Sequence, residues 1–311
     1  MLILHQNISM IPRNLIINAA LKAGFDIVGV TPAVHIEEEN FHFSKWLSAG
    51  CNATLSYLER NQEKRFDASK LVDGARSVVV CGVAYLSKFS RGYPTGCNTK
   101  IASYALAKDY HVVIKEMLSE VADELKAYAP NLRFRLFTDS APLAEKSYAR
   151  RAGLGWIGRN SLLVTPDYGS MLLLGEIVMD EAVDEYDTPM QSVGCGECRR
   201  CVDACPNGAI RDDRTIDARR CISCQTIEPM AGKESIPLDG WIFGCDGCQA
   251  VCPYNQKAPL SKNTRLDPLF DPLEFDAERW LSMSEEEFTE LASETPMTRA
   301  GLARIKENII S

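Results

Sequence analysis

The sequence predicts an α+β protein with a mixed α/β amino-terminal part, a cysteine-rich part and a short helical carboxy-terminal part. Strand-like and helix-like apolar segments alternate through residues 1–180. Nine of the twelve cysteines lie between Cys195 and Cys252. After residue 265 the chain is acidic, and its apolar residues recur with helical periodicity. We therefore expect three units, at residues 1–180, 181–265 and 266–311.

The first unit opens with alternating helices and strands. Residues 13–23 predict a short helix, which the buried strand GFDIVGVTP follows. Residues 41–60 also alternate with a helical period. The β-branched run RSVVVCGVAY, residues 76–85, is typical of a strand, and residues 104–128 predict a long amphipathic helix.

A strand that leads into a helix carries the first candidate polar residue. The segment RFRLFTDS, residues 133–140, predicts this strand, and Asp139 or Ser140 would cap the helix after it. That helix would end at the glycines of RAGLG. Residues 161–178 then predict a hairpin of two apolar strands around a Pro-Asp-Tyr-Gly turn.

Length and composition indicate a cytoplasmic protein. The 311 residues contain no apolar run near the roughly 18 residues that a membrane span needs. The start, MLILHQNISM, is too short for a signal peptide. We expect a monomer without a membrane partner. Because cytoplasmic thiols are kept reduced, metal binding is a better expectation than disulfides for so many cysteines.

Charge is distributed unevenly along the chain. The net charge is −8, but residues 60–160 carry a surplus of seven positive charges. Charge alone favours an ordinary solvated surface, and it also allows a local anion site. The positive residues of interest are Arg60, Lys64, Arg65, Lys146, Arg150, Arg151 and Arg159.

The first cysteine block, GCGECRRCVDACPNG, has the spacing C-x2-C-x2-C-x3-C-P. This is the pattern of bacterial ferredoxins with two 4Fe–4S clusters, in which the fourth cysteine ligates the other cluster. We therefore expect Cys195, Cys198 and Cys201 to share one cluster with Cys252. Cys205 would join three cysteines of a second block on the other cluster.

The second block supplies four candidates for those three places. Cys245 and Cys248 have the C-x2-C context, and either Cys221 or Cys224 is the third. Zinc held by four thiolates is the alternative, but four such closely spaced cysteines suit a cluster better than a single ion. The scattered cysteines, Cys51, Cys81 and Cys97, are expected to be small buried apolar residues.

One long segment resembles a known family. The residues TDSAPLAEKSYARRAGLGWIGRNSLLVTPDYGSMLLLGEI, followed by the two cysteine blocks, are similar to the tRNA epoxyqueuosine reductases. The same similarity is found in YLERNQEKR, IASYALAKDYH, DARRCISCQTIE and GWIFGCDGCQAVCPYN. It covers at least residues 13–309.

The resemblance implies an enzyme that uses cobalamin and two 4Fe–4S clusters. Such an enzyme reduces epoxyqueuosine to queuosine at the wobble position of tRNA, the last step of queuosine biosynthesis. The implied fold is an α/β cobalamin-binding domain, similar to that of reductive dehalogenases, followed by a ferredoxin-like domain. The chain ends soon after TPMTRAGLARIKENI, so we expect a short form without the helical-repeat extension of many members.

The resemblance also assigns roles to particular residues. It implies that Asp139 is the general acid that protonates the opening epoxide oxygen, whereas local sequence alone favours a helix N-cap. Beside an apolar corrin ring, the pKa of Asp139 should rise. It further implies that Cys221 ligates the second cluster, which leaves Cys224 as a bystander.

Other cofactor contacts follow from the resemblance, each with a plainer alternative. Arg60 would meet a corrin amide or phosphate, or form a surface ion pair. The positions implied near cobalamin or near the gap to the second cluster are Ala102, Leu163, Thr165, Leu174, Arg220, Ser223 and Asp246. For the hairpin positions among them, the alternative is plain core packing.

Partners follow from the same reasoning. Arg150, Arg151 and Arg159 would receive phosphates of the tRNA anticodon arm. The electron donor would be a flavodoxin or a ferredoxin. None of the histidines, which are His5, His35, His42 and His111, is expected to ligate cobalt. The competing hypotheses are a small-molecule reductase related to the dehalogenases, an iron–sulfur electron carrier and a cobalamin chaperone.

Overall fold

The computed structural model describes residues 10–191, 194–228 and 235–311. Residues 1–9, which include His5 and most of the stretch assessed as a signal peptide, lie outside the described residues. The α-helices are α1 (Arg13–Lys22), α2 (Glu37–Ser48), α3 (Gln62–Arg65), α4 (Tyr110–Tyr128), α5 (Glu145–Arg151), α6 (Arg200–Asp203), α7 (Ile222–Ile227), α8 (Gly247–Ala250), α9 (Pro253–Lys257), α10 (Ala277–Ser282), α11 (Glu285–Ala292) and α12 (Gly301–Ile310).

The strands are short except for those at the centre of the first unit. They are β1 (Ile27–Pro32), β2 (Ser77–Ala84), β3 (Lys100–Ile101), β4 (Phe134–Phe137), β5 (Trp156–Ile157), β6 (Leu163–Val164), β7 (Leu172–Met179) and β8 (Trp241–Phe243). Short 3₁₀ turns occur at Ser56–Glu59, Ala68–Lys70, Lys88–Arg91, Ser103–Leu106, Ala218–Arg220, Thr264–Leu266, Pro272–Glu274 and Pro296–Arg299. This arrangement confirms the α+β class.

A four-stranded antiparallel sheet organises the first unit. Its strand order is β1-β2-β7-β4. All eight residues of β2 are buried, as its β-branched composition predicts for a strand covered on both faces. In this register Glu176 of β7 lies opposite Val80 on one side and Phe137 on the other.

Helices cover both faces of this sheet. One face packs against α1 and α4 through a core that contains Ile16, Ile114, Leu118 and Ile177. The buried residues of α4 recur every three to four positions, so a single apolar stripe meets the sheet. The other face packs against α5, where Tyr148, Ala149 and Leu163 join Val78 and Val178.

A separate core joins the carboxy-terminal helices to the rest of the chain. Strand β8 pairs with β3 in parallel. Phe243 of β8 packs with Leu106 and with Trp280, Phe288 and Ile305 of the last three helices. Side chains therefore pack across the expected domain boundaries at residues 180 and 265. The division into three units at these boundaries stays a prediction. No helix in the described part of the chain is long and apolar enough to cross a bilayer.

Two sequence-based predictions about local structure are wrong. The helix expected at residues 41–60 ends at Ser48, because Gly50 and Ala53 adopt left-handed backbone angles that break it. The hairpin expected at residues 161–178 has its turn, since Thr165 bridges Gly169. Its strands nevertheless belong to different sheets, because β6 pairs with β5 while β7 enters the central sheet.

Close packing of α5 on β1 gives a test of this arrangement. A Cβ atom at Gly29 would lie 2.3 Å from the carbonyl oxygen of Ala152, a backbone atom that cannot move alone. We expect Gly29→Ala to lower the free energy of unfolding by about 1–3 kcal/mol through overpacking. Denaturant titration under anaerobic conditions measures this loss. Gly194→Ala is the control, because no described atom lies within 4 Å of the added methyl group, and an equal effect of both changes would contradict the packing argument.

Candidate active site

Asp139 lies just beyond the end of β4 and is not a helix cap. Its backbone has a left-handed φ of 52°, and the next helix, α5, begins only at Glu145 with Ala144 as its N-cap. Thr138 anchors the chain before it, since its hydroxyl donates to the carbonyl oxygen of Leu174 at 2.9 Å. The capping role that local sequence favoured is therefore wrong, and Asp139 projects from a turn.

Two proton donors hold the Asp139 carboxylate. The hydroxyl of Tyr110 donates to Oδ2 at 2.7 Å, and Nε2 of His111 lies 3.4 Å from the same oxygen. Both donors are on the first turn of α4, which Asp109 caps by accepting the His111 backbone N–H. The Asp139 side chain is 54% exposed, so a ligand can still reach it.

These contacts lower the pKa of Asp139. The hydrogen bond from His111 has the largest effect, and Tyr110 and the charge of Arg299 act in the same direction, against the opposing effect of burial. The expected rise in the pKa of Asp139 concerned a bound corrin ring, and it stays a prediction. The carboxyl is held as an anion that accepts two hydrogen bonds.

His111 joins Asp139 to a second carboxylate. Its Nδ1 lies 2.7 Å from Asp109 Oδ1, and its ring stacks on Tyr110 with centroids 4.2 Å apart. The hydrogen bonds to Asp109 and then to Asp139 raise the pKa of His111 to about 9. His111 is therefore an imidazolium at neutral pH, and both ring nitrogens are engaged by carboxylates.

Two further carboxyl groups, one half-buried and one fully buried, lie near Asp139. The backbone N–H of Asp139 donates to Oε1 of Glu145, the first residue of α5. Glu176, at the centre of β7, is fully buried, and Glu145 is its nearest carboxyl neighbour. Burial raises the pKa of both groups, and the raise is larger for Glu176.

Charged residues from distant parts of the chain complete the surroundings of Asp139. Arg299, near the carboxy terminus, pairs with Glu228 at 2.7 Å and is an electrostatic neighbour of Asp139. Burial lowers the pKa of Arg65, whose Nε has no hydrogen-bond partner among the described residues. Lys146 donates to the carbonyl oxygen of Ser161 at 2.7 Å.

A row of aromatic rings connects this region to the cysteines. Tyr85 and Tyr104 meet edge to face at 6.4 Å, and Tyr104 meets Tyr110 at 6.0 Å. Buried Asp246, next to Cys245, accepts hydrogen bonds from the backbone N–H and the hydroxyl of Ser103, each at 2.7 Å. The polar group expected beside the second cluster is thus fixed to the segment that carries the aromatic row.

The cysteines form two electrostatic neighbourhoods. Burial and the nearby Cys195 and Cys252 raise the pKa of Cys201. Burial also raises the pKa of Cys245, with further contributions from Cys221 and Cys205. The strongest cysteine neighbours of Cys248 are Cys245 and Cys221 of the second group, and Cys201 of the first group has a smaller effect on its pKa.

Cys221 and Cys224 face different surroundings. Cys221 is an electrostatic neighbour of Cys205, and the backbone N–H of Cys224 and of Ser223 donate to its sulfur. Cys224 instead influences Tyr57, a residue on the Asp139 side. Among the described residues, no three His, Cys, Asp or Glu side chains are grouped as ligands of a single metal ion.

The remaining predicted cofactor residues are dispersed around these groups. Leu163 and Thr165 are buried, whereas Leu174 is half-buried beside Thr138. Ala102 is buried and donates its N–H to the carbonyl oxygen of Phe243 at 2.8 Å. Arg60 and Arg220 are exposed, and Ser223 is half-buried.

The three arginines predicted to bind phosphates are not grouped. Arg159 donates to the carbonyl oxygen of Gly196 at 2.9 Å, next to the first cysteine block. Arg150 forms an ion pair with Glu39, and with Arg151 it lines a cleft of about 530 Å³ between α2 and α5. A single phosphate site made of all three does not form.

Several residues at this site were missed by sequence reasoning. Tyr110 and His111 stand in DYH, within the amphipathic helix that the sequence predicts, and local sequence assigns neither of them a role at the site. Glu176 interrupts the apolar strand LLLGEIV, and a lone acid in a buried strand is a usable signal. Arg299 gave no signal, because 160 positions separate it from Asp139.

Two family models match this chain. The family described as "Epoxyqueuosine reductase QueG, DUF1730" matches residues 65–140, which include Asp139. The family described as "4Fe-4S double cluster binding domain" matches residues 194–255, which include all nine clustered cysteines. The chain therefore contains a 4Fe–4S double-cluster domain, as the cysteine spacing predicted.

Relatives match over almost the whole length. The epoxyqueuosine reductase of Cyclobacterium marinum is 38% identical over 296 residues, which is 93% of each chain. A crystal structure of an epoxyqueuosine reductase with a tRNA-Tyr epoxyqueuosine-modified stem loop has a TM-score of 0.85 and 28% identity, covering 96% of this chain and 79% of that one.

Two further structures bear on the site and on the fold. A Bacillus subtilis epoxyqueuosine reductase whose aspartate-bearing catalytic loop is swung out of the active site has a TM-score of 0.83 at 28% identity, covering 96% of this chain and 79% of that one. The catabolic reductive dehalogenase NpRdhA has a TM-score of 0.50 at 17% identity, covering 98% of this chain and 38% of that one. The latter likeness concerns the fold alone.

The charge on His111 predicts a pH-dependent contribution to stability. The folded structure raises the pKa of His111 from about 6.5 to about 9. The charged imidazole therefore makes its full contribution to the free energy of unfolding below about pH 6.5. That contribution is lost as the pH rises through about 9. We expect His111→Asn to lower the melting temperature clearly at low pH and much less above the raised pKa. Anaerobic thermal melts over the pH range measure this difference. His35→Asn, at an exposed position, is the control, and a pH-independent effect of His111→Asn would contradict the assignment.

Proposed function

The chain belongs to the epoxyqueuosine reductase family, and we propose that it reduces epoxyqueuosine to queuosine in tRNA. One observation carries this proposal at the level of the site. An exposed carboxylate, Asp139, is held by two proton donors, and an aromatic row leads from it towards the thiols of a double-cluster domain. Such a site combines a proton source with an electron source, as removal of an epoxide oxygen requires.

The reaction balances as a two-electron reduction. The epoxide accepts two electrons and two protons, its two C–O bonds break, and an alkene and water are formed. The breaking C–O bond leaves an oxyanion, so a proton must arrive there. Asp139 is the group proposed to deliver it, because its carboxyl is exposed and lies within reach of two proton donors.

His111 is proposed to store that proton. Its imidazolium is stable at neutral pH, and its Nε2 lies 3.4 Å from Asp139 Oδ2. A proton can therefore move from His111 to Asp139 when the ligand covers the carboxylate and disfavours its charge. Tyr110 keeps Oδ2 oriented during this transfer.

The chemistry of the electrons is proposed to depend on cobalamin and the two clusters. When bound, cobalamin would supply reducing equivalents at its cobalt to the epoxide. The chain fits a large polar-edged ligand beside Asp139, because Arg65 Nε is buried without a hydrogen-bond partner among the described residues. The residues proposed to hold it, besides Asp139, are Arg60, Ala102, Leu163, Thr165, Leu174, Arg220, Ser223 and Asp246.

The ligand sets of the two clusters are also proposals. The electrostatic neighbours described above support Cys195, Cys198, Cys201 and Cys252 for one cluster. They support Cys205, Cys221, Cys245 and Cys248 for the other. The spacing of the first block supplies Cys198, because a C-x2-C-x2-C run wraps one cluster.

The partners are proposed from the chemistry of the substrate. The anticodon arm of tRNA would approach the exposed side of Asp139, near Arg299. Phosphates would meet the positive surface of residues 60–160, which includes Arg150, Arg151 and Arg159. A flavodoxin or ferredoxin would reduce the clusters of a monomer in the cytoplasm.

Loss of the Asp139 proton donor gives the first test of function. We expect the wild-type holoprotein to convert epoxyqueuosine-containing tRNA to queuosine, and Asp139→Asn to lower the rate by about 10²–10⁴-fold. Nucleoside mass spectrometry after digestion measures the loss of one oxygen atom. Cobalamin absorbance and iron content must stay unchanged in the variant. Full turnover by Asp139→Asn would remove Asp139 from the mechanism.

The choice between the two second-block cysteines gives a further test. We expect Cys221→Ala to reduce the iron content from about eight to about four atoms per chain, because one cluster loses a ligand. Cys224→Ala, the matched control three residues away, should keep about eight. Iron analysis and the visible spectrum after anaerobic reconstitution measure both. The reverse result would assign Cys224 as the ligand.

A further inference from the structure

The backbone of Asp139 requires an explanation that the reaction itself does not supply. Residues other than glycine seldom adopt a left-handed φ, although aspartate does so more often than most, and Asp139 does so in the segment between β4 and α5. The side-chain contacts to Tyr110 and His111 lie on one side only. Something must hold the peptide group itself, because a turn of this kind could otherwise relax.

Glu145 provides the contact to that peptide group. Its Oε1 accepts the Asp139 N–H, across six positions of sequence. Glu145 is the first residue of α5, and α5 is seated on the sheet by Tyr148 and Ala149, both fully buried. The acceptor is therefore fixed to the rigid part of the unit and does not move with the Asp139 turn.

Glu176 is the buried carboxyl group that we expect to support Glu145 through a hydrogen bond. It is fully buried in the centre of β7, directly opposite Phe137, two residues before Asp139. Neither Glu176 oxygen has a hydrogen-bond partner among the described residues, and after burial the Glu145 carboxyl has the largest effect on the pKa of Glu176. A protonated Glu176 can donate to the Glu145 carboxylate, which keeps that carboxylate available as an acceptor for the Asp139 N–H.

We propose that Glu145, supported by Glu176, is the positioning residue that locks the Asp139 turn in its active conformation. The inference rests on the proposed function for its effect on rate, but its effect on the turn is independent of any reaction. Glu145 touches neither substrate nor reacting atoms. It acts by fixing the backbone from which the Asp139 carboxyl projects.

Two carboxyl groups can form a series of hydrogen bonds in which one group donates and the other accepts. Such a series needs no positively charged side chain. Glu145 accepts from the Asp139 N–H, and a protonated Glu176 would donate to Glu145. Glutamine at position 145 retains an acceptor oxygen, and glutamine at position 176 retains a donor. Conservative replacement should therefore preserve the lock, whereas removal of the polar group should release it.

The first experiment measures the turn without any substrate. Hydrogen exchange of the peptide that covers residues 134–144 is followed by mass spectrometry in the reconstituted holoprotein. We expect Glu145→Ala to accelerate exchange at Asp139 at least about tenfold, and Glu145→Gln to leave it within about threefold of wild type, because a hydrogen-bonded amide exchanges only after local opening and an amide without an acceptor does not need that step. Equal protection in Glu145→Ala and wild type would overturn the proposal.

The second experiment measures the consequence for rate. We expect Glu145→Ala to lower kcat about 10–100-fold, as a misplaced catalytic group does, with KM for tRNA within about twofold of wild type. Glu145→Gln and Glu176→Gln should restore kcat to within about threefold. An impairment of Glu145→Gln equal to that of Glu145→Ala would overturn the proposal, since charge and not the hydrogen bond would then be decisive.

Two controls keep the outcomes distinct. Glu39→Gln removes the ion pair with Arg150 near the far end of α5 and should change neither exchange at Asp139 nor kcat. If Glu145→Ala does not fold, Glu145→Met, which fills the same space without an acceptor, carries the same expectations. A wild-type holoprotein without turnover would contradict the proposed function, whereas the exchange result would still decide the role of Glu145.

Discussion

The antiparallel pairing of β4 with β7 is the constraint on which the candidate site depends. It places Phe137 opposite Glu176, so the chain leaves the sheet at Thr138 directly above a buried carboxyl group. The hydroxyl of Thr138 is bonded to the carbonyl oxygen of Leu174, which continues the pairing by one residue. These bonds restrict where the backbone of Asp139 can lie. The contacts of its side chain with neighbouring residues depend on that position.

The site combines opposing electrostatic environments within a short distance. On one side, His111 and Tyr110 stabilise the Asp139 carboxylate and lower its pKa. On the other, burial raises the pKa of Glu176, and Glu145 accepts a hydrogen bond from the Asp139 N–H. An acid whose proton is stored on a neighbour can remain charged in the open site and become a donor when a ligand excludes water.

The proposed path of electrons and the path of the proton meet at the same α4 residues. Tyr104 and Tyr110 extend from the neighbourhood of Asp246 to Asp139, and His111 follows Tyr110 in the chain. The carboxy-terminal helices contribute as well, because Arg299 influences Asp139 while its neighbours pack against β8. Residues 266–311 therefore lie beside the candidate site and also pack against the core that contains β8.

Local sequence was sufficient wherever one short pattern determines the chemistry. The spacing of four cysteines in eleven residues indicated a double-cluster domain, because in such a run three cysteines ligate one cluster and the fourth ligates the other. The β-branched run of β2 and the apolar stripe of α4 likewise carried their own evidence. Only the tertiary structure decided that β6 and β7 enter different sheets and that Asp139 lies in a turn before α5. It also decided which side chains surround Asp139, namely those of His111, Glu145, Glu176 and Arg299. These outcomes depend on contacts between segments up to 160 residues apart, and no local pattern in a single sequence records which distant side chains the folded sheet brings together.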